Sequence, residues 1–187
     1  MPTTQRITET HAILTCYDTR LDPMVEIYRQ QLVLDGHAVL NPIRPIGGLH
    51  AMTRSACRHF FYDQLDGLIL VGQATHIHIF PHTNCQYGWL KVRDKVGETF
   101  EQDLGFQIDM LKKSCSGAAA HINHKFPEQH ISIIGHIIWT QEKRFISLTE
   151  ALDILGSHQH KHVQHSQSDM SHSARIGSTK PHAELRI

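Results

Sequence analysis

Two short stretches of this sequence carry residue types that could do metal chemistry together. The first is CYDTR, with Cys16, Asp18 and Arg20. The second is HTNC, with His82 and Cys85 three positions apart. Each closes a run of strand character: HAILT leads into Cys16, and THIHIF leads through Pro81 into His82. On an extended chain residues i and i+2 face the same side, so Cys16, Asp18 and Arg20 would project into one space. If the two strands are parallel neighbours, both stretches lie at the same carboxyl edge of a sheet, where α/β folds place their sites. Cys16, His82 and Cys85 then offer two thiolates and one imidazole. Three protein ligands leave a tetrahedral zinc one open position, which separates a catalytic from a structural zinc. Singly the pieces are weak. A strand-end cysteine is more often a small buried hydrophobe, His-x-x-Cys is a short pattern, and Asp18 with Arg20 could be a surface ion pair. Their joint placement at strand ends is far more specific.

The elements that must position these residues alternate in type. Residues 11–17 read as a buried strand. Residues 21–35 carry Met24, Ile27, Tyr28 and Leu32 at helical spacing, with Gly36 as a stop. Residues 37–43 read as a second strand broken by Pro42, and 44–50 as a loop. Residues 53–65 look helical, while 67–72 fit either a continuation of that helix or another strand. Residues 75–80 alternate His with apolar side chains and read as a strand. Val96, Phe100, Leu104, Ile108 and Leu111 predict a helix over 94–115, and 129–139 is a long strand or strand pair. TQEKRF makes a turn, and ISLTEAL closes the domain. Such alternation implies an α/β fold with a mostly parallel central sheet flanked by helices. Residues 1–156 are expected to form one domain. From about Gly156 the chain is Ser/His-rich with few large apolar residues, so 157–187 reads as a flexible tail. His158, His160, His162 and His165 crowd together in it.

Composition narrows the function. The 187 residues hold 18 Lys+Arg and 18 Asp+Glu, so the formal charge is zero and no nucleic-acid or anionic-membrane surface is expected. The first residues lack the apolar core of a signal peptide, and runs such as LILV are too short to span a bilayer. A cytoplasmic protein is therefore expected. Cys16, Cys57, Cys85 and Cys115 are too scattered to suggest a disulfide framework.

CYDTR followed at a distance by HTNC resembles the β-class carbonic anhydrases, whose pattern is Cys-x-Asp-x-Arg and later His-x-x-Cys. RPIGG (44–48) occupies the place of the family's Arg-Asn-Ala-Gly loop, RSACRHFFYDQL (54–65) resembles the helix after it, and ISIIGHIIWTQEKRFISL (131–148) resembles the late strand, turn and strand. The likeness covers roughly residues 11–150 and is to the short form without an N-terminal arm. Pro45 and Ile46 depart from the family's Asn and Ala, and Gln86 stands where Gly usually follows the cysteine.

The resemblance implies a zinc ion on Cys16, His82 and Cys85 that hydrates carbon dioxide reversibly to bicarbonate, in a homodimer or larger homo-oligomer. Zinc lowers the pKa of bound water far below that of bulk water, to about 7–9. Two thiolates cancel the ion's formal charge, so activity should rise toward alkaline pH. Asp18 would orient the attacking water, and Arg20 would keep Asp18 ionised and off the metal. The departures from the family's pocket leave two rivals open: a zinc hydrolase for carbon disulfide or carbonyl sulfide, and a silent zinc-binding protein.

Overall fold

The computed structural model describes residues 9–45, 55–85 and 99–157. In chain order they form β1 (Thr10–Thr15), a 3-10 turn (Thr19–Leu21), α1 (Asp22–Leu34), β2 (Ala38–Val39), α2 (Ser55–Leu70), β3 (His76–Phe80), α3 (Phe100–Lys125), β4 (Ser132–Trp139), β5 (Arg144–Ser147) and α4 (148–157). Residues 46–48 of the RPIGG loop, Gln86, residues 94–98 and the tail from 158 lie outside the described residues.

The sheet order is β2-β1-β3-β4-β5. β1 pairs in parallel with both β2 and β3, β3 pairs in parallel with β4, and β5 runs antiparallel at the edge. β1 leads by way of α1 to a neighbour on one side, while β3 lies on its other side. Winding therefore reverses at the carboxyl ends of β1 and β3, where open α/β sheets leave a crevice. β1 and β3 are buried on both faces, which explains their nearly unbroken burial. On one face Ala12, Leu14, Ile77, Ile79 and Ile137 pack with Phe61 and Leu65 of α2 and Leu104, Ile108 and Leu111 of α3. On the other, Ile13, Phe80 and Ile138 pack with Met24 and Val25 of α1. α3 comes very close to β4: a Cβ on Gly135 would meet Leu111 Cδ1 at 2.8 Å and Cys115 Sγ at 3.1 Å.

Local signals set the helix ends. Pro23 and Asp22 suit the first turn of α1. Gly36, at φ 89°, ends it; its N–H bonds Val33 O, and His37 N–H reaches back to Leu32 O. Thr99 and Gln102 form a reciprocal capping box at the start of α3.

At the amino ends of the same strands sits a group of histidines. His11 of β1 and His76 of β3 are register partners, stacked with ring centroids 4.5 Å apart. His11 Nδ1 lies 2.8 Å from His78 Nε2, and His78 Nδ1 lies 3.1 Å from the Tyr28 hydroxyl. Burial beneath α1 pushes the His78 ring down to about 3, so it stays neutral in ordinary conditions.

Candidate metal centre

β1 and β3 stay in register to Thr15 and Phe80, so both chains leave the sheet side by side. Flanking pairing fixes where each goes. Thr15 N–H donates to Ile43 O on one side; Thr83 N–H donates to Ile138 O and Ile138 N–H to Pro81 O on the other. Cys16, His82 and Cys85 thus meet in the crevice, each no more than 6 % exposed. One ligand atom from each lies within 4.8 Å of the other two. The two thiols are not joined as a disulfide.

The donor atoms are prepared for a cation. His82 Nδ1 donates to Thr83 O at 3.0 Å; a carbonyl oxygen only accepts, so Nδ1 carries the proton and Nε2 keeps its lone pair. Nε2 is buried without a hydrogen-bond partner. The Cys16 thiol is pulled well below its ordinary value by Cys85 beside it, then by His82 and the Asp18 backbone N–H, against the opposing effect of burial. Cys115 lies in the core against Gly135, where burial pushes its thiol up to about 11. It is no part of this set, and the Cys57 side chain lies outside the described residues.

Asp18 and Arg20 are paired as well as adjacent. Arg20 Nε donates to Asp18 Oδ1 and Oδ2 at 2.9 and 3.1 Å, and Nη2 also contacts Oδ2. Asp18 Oδ1 further accepts the Arg20 backbone N–H at 3.0 Å, which caps the 3-10 turn. Arg20 holds the Asp18 carboxyl below the usual carboxylate range, first through its side chain and then through its backbone N–H, against the opposing effect of burial. Arg20 Nη2 also donates to Asn84 O at 2.8 Å, tying the end of β1 to the His82–Cys85 loop.

Sequence reasoning missed what grips that loop from its far side. Asn84 has φ 56°, a left-handed conformation that Asn tolerates better than most residues. Its N–H donates to Asp103 Oδ2 at 2.6 Å, while Gln107 Nε2 donates to Asp103 Oδ1 at 3.0 Å. Thr83 accepts the Thr140 N–H at its hydroxyl at 3.0 Å and the Thr140 hydroxyl at its carbonyl at 3.1 Å. Asp103 at the first turn of a helix reads from sequence as a dipole partner. Only its burial shows that it holds the loop.

Among solved structures, the chain matches the β-carbonic anhydrase CafA of the fungal pathogen Aspergillus fumigatus with a TM-score of 0.52, over 79 % of this chain and 81 % of that one. The fold is that of the β-carbonic anhydrases. Sequence identity across the match is only 13 %. A mutant form of the β-carbonic anhydrase CafD of the same fungus aligns at 16 % identity and a TM-score of 0.40, over 78 % of this chain and 91 % of that one. No sequence-family model and no curated protein matches the chain. On this β-carbonic anhydrase fold, the Cys16–His82–Cys85 group lies at the switch point of the sheet. No helix among the described residues is long and apolar enough to cross a membrane.

Proposed function

We propose that Cys16, His82 and Cys85 hold a zinc ion and that the protein uses it for the reversible hydration of carbon dioxide to bicarbonate. The observation that carries this is the preparation of His82: its tautomer is fixed by Thr83 O, and its buried Nε2 has no partner but converges with two cysteine sulfurs. A crevice that held no cation would leave that lone pair as an uncompensated cost of about 1–3 kcal/mol. When bound, zinc supplies a Lewis acid that makes water nucleophilic near neutral pH.

The chain's own residues do the rest. Asp18 stays ionised because Arg20 grips both carboxylate oxygens. An ionised Asp18 accepts a hydrogen bond from the attacking water and aims its lone pair at the substrate carbon. The fork of Arg20 holds the carboxylate in place, so that Asp18 would not itself become a ligand of a bound metal. The Asp18 backbone N–H stabilises the Cys16 thiolate. Two thiolates neutralise the ion's formal charge, so activity should climb toward alkaline pH. The same assignment implies a homodimer or larger assembly working in the cytoplasm.

Cobalt separates this site from any other. In the metal-stripped, Co²⁺-loaded full chain, thiolate-to-cobalt charge-transfer absorption is expected. It should vanish in Cys16→Ser and Cys85→Ser and persist in Cys57→Ser and Cys115→Ser. Zinc-loaded wild type should hydrate CO₂ in a stopped-flow assay. Retention of the band in Cys16→Ser would exclude the ligand set.

A further inference from the structure

At the opposite edge of the sheet, we infer that Glu9, His11 and His76 form a second metal site, for a divalent first-row transition ion such as zinc, with His37 as a fourth ligand. It is separate from the crevice. β1 spans Thr10–Thr15, which puts the two groups roughly 16–20 Å apart at about 3.3 Å per residue.

The spacing is that of ligands around one ion. Glu9 Oε2 lies 3.6 Å from His11 Nε2, 3.5 Å from His37 Nδ1 and 3.9 Å from His76 Nε2. All three distances exceed a normal N–H···O bond of about 2.7–3.2 Å. Those to His37 and His11 are close to the edge of a tetrahedron with metal bonds of about 2.0–2.1 Å, which is about 3.3–3.4 Å, and that to His76 is somewhat longer. The ligand atoms of Glu9, His11 and His76 all lie within 4.8 Å of one another. The His37 ring tilts against that of His11 at a centroid distance of 4.5 Å, within reach of a fourth position.

The buried member of the group points the same way. His11 is 4 % exposed, and its Nε2 has no hydrogen-bond partner. Its other nitrogen faces His78 Nε2, whose ring in turn reaches Tyr28. One proton arrangement satisfies this chain and leaves His11 ready to ligate: His11 Nδ1–H donates to His78 Nε2, and His78 Nδ1–H donates to the Tyr28 oxygen. His11 Nε2 then presents a lone pair toward Glu9 and His76. Histidine ligands commonly donate their second ring N–H to such an outer partner. The reverse arrangement turns an Nε2–H toward Glu9 Oε2 at 3.6 Å, longer than a normal hydrogen bond.

Imidazoles with one carboxylate suit zinc, nickel, cobalt or copper, and suit magnesium or calcium poorly. With four protein ligands the site is closed, so its role is structural. It clasps the chain just before β1 to the starts of β2 and β3, and draws together four residues from three separate stretches.

The test uses the full chain, because the His-rich tail and the cysteine crevice are then identical in every protein compared. Wild type, Glu9→Gln and Glu9→Gln/His76→Gln are equilibrated with zinc, freed of excess metal and assayed for bound zinc. Wild type should hold one zinc more per chain than either variant, and added zinc should raise its Tm further. Glu9 is half exposed, so the single variant keeps the proposal testable if the double variant folds poorly. Zinc-loaded wild-type crystals should show anomalous density beside His11 Nε2. Equal zinc content in wild type and Glu9→Gln, or crystals without that density, would overturn the site. The cobalt–thiolate band at Cys16 and Cys85 should persist in these variants, so failure here is distinguishable from failure of the crevice.

Discussion

Arg20→Ala is the most informative single change at the crevice. It removes the side-chain donors to both oxygens of Asp18 and the bond to Asn84 O, while the Arg20 backbone N–H to Asp18 remains. The Asp18 carboxyl then loses the main influence that holds it below the usual range and is free to turn toward the metal. Losing a partner that orients a metal-site group typically costs 10–100-fold, or about 1.4–2.7 kcal/mol of transition-state stabilisation. Global stability should respond far less. Arg20 is 42 % exposed, and exposed ion pairs contribute about 0–1 kcal/mol, so Tm should fall by no more than about 4 °C. Arg20→Lys should recover only part of the loss, since a point ammonium cannot span two carboxylate oxygens and a carbonyl together. The assay is stopped-flow CO₂ hydration on zinc-quantified protein. Unchanged hydration in Arg20→Ala with zinc retained would refute the role of Arg20. A loss that merely follows departure of zinc would refute it too.

Asp18→Asn should keep zinc bound and lower hydration by roughly 10–100-fold, as metal analysis and kinetics on one sample would show. Asp103→Ala strands the Asn84 N–H and Gln107 amide, costing about 1–3 kcal/mol, and should loosen zinc retention in the presence of a chelator although Asp103 is not a ligand. The depressed Cys16 thiol sets a pH dependence. In metal-free protein its contribution is complete above the unfolded value of about 8.5 and is lost as pH falls through the lower folded value. Stability should therefore rise with pH between those values, and Cys16→Ser should flatten that slope in chemical denaturation. Gly135→Ala forces a Cβ against Leu111 and should cost about 1–3 kcal/mol, whereas the same change at Gly67, which has open space, should not strain the core.

Much of this was legible because the two motifs end strands whose apolar runs are fully buried. CYDTR and HTNC could be placed at one edge on the condition that their strands are parallel neighbours, and β1 and β3 meet that condition. Helix ends with strong chemistry were also readable, such as Gly36 after α1. Weak punctuation misled at other points. The predicted helix over 94–115 extends to Lys125, because Ser116 and Gly117 are carried by packing of Ala118 and Ile122 into the core. The strand expected over 37–43 shrinks to Ala38–Val39 plus a bridge at Ile43, since Pro42 interrupts the pairing. Residues 67–70 continue α2, and 129–139 is one strand, Ser132–Trp139. Of the residues read at helical spacing in α1, Ile27 is 67 % exposed, while Val25, outside that set, is buried. The alternating histidines of β3 gave no hint of burial, because that depends on Tyr28 and His11 arriving from other elements. Asp103 was invisible for the same reason.

The central claim is a catalytic zinc held by two cysteines and one histidine at the ends of β1 and β3. Its most direct test is stopped-flow CO₂ hydration by full-length protein with zinc loaded at this site, run beside Cys16→Ser. Hydration that rises between about pH 7 and 9 in wild type and is absent in Cys16→Ser is the expected result. Wild type with zinc on Cys16, His82 and Cys85 but no hydration across that range would contradict it, and carbonyl sulfide and carbon disulfide would then be the substrates to try.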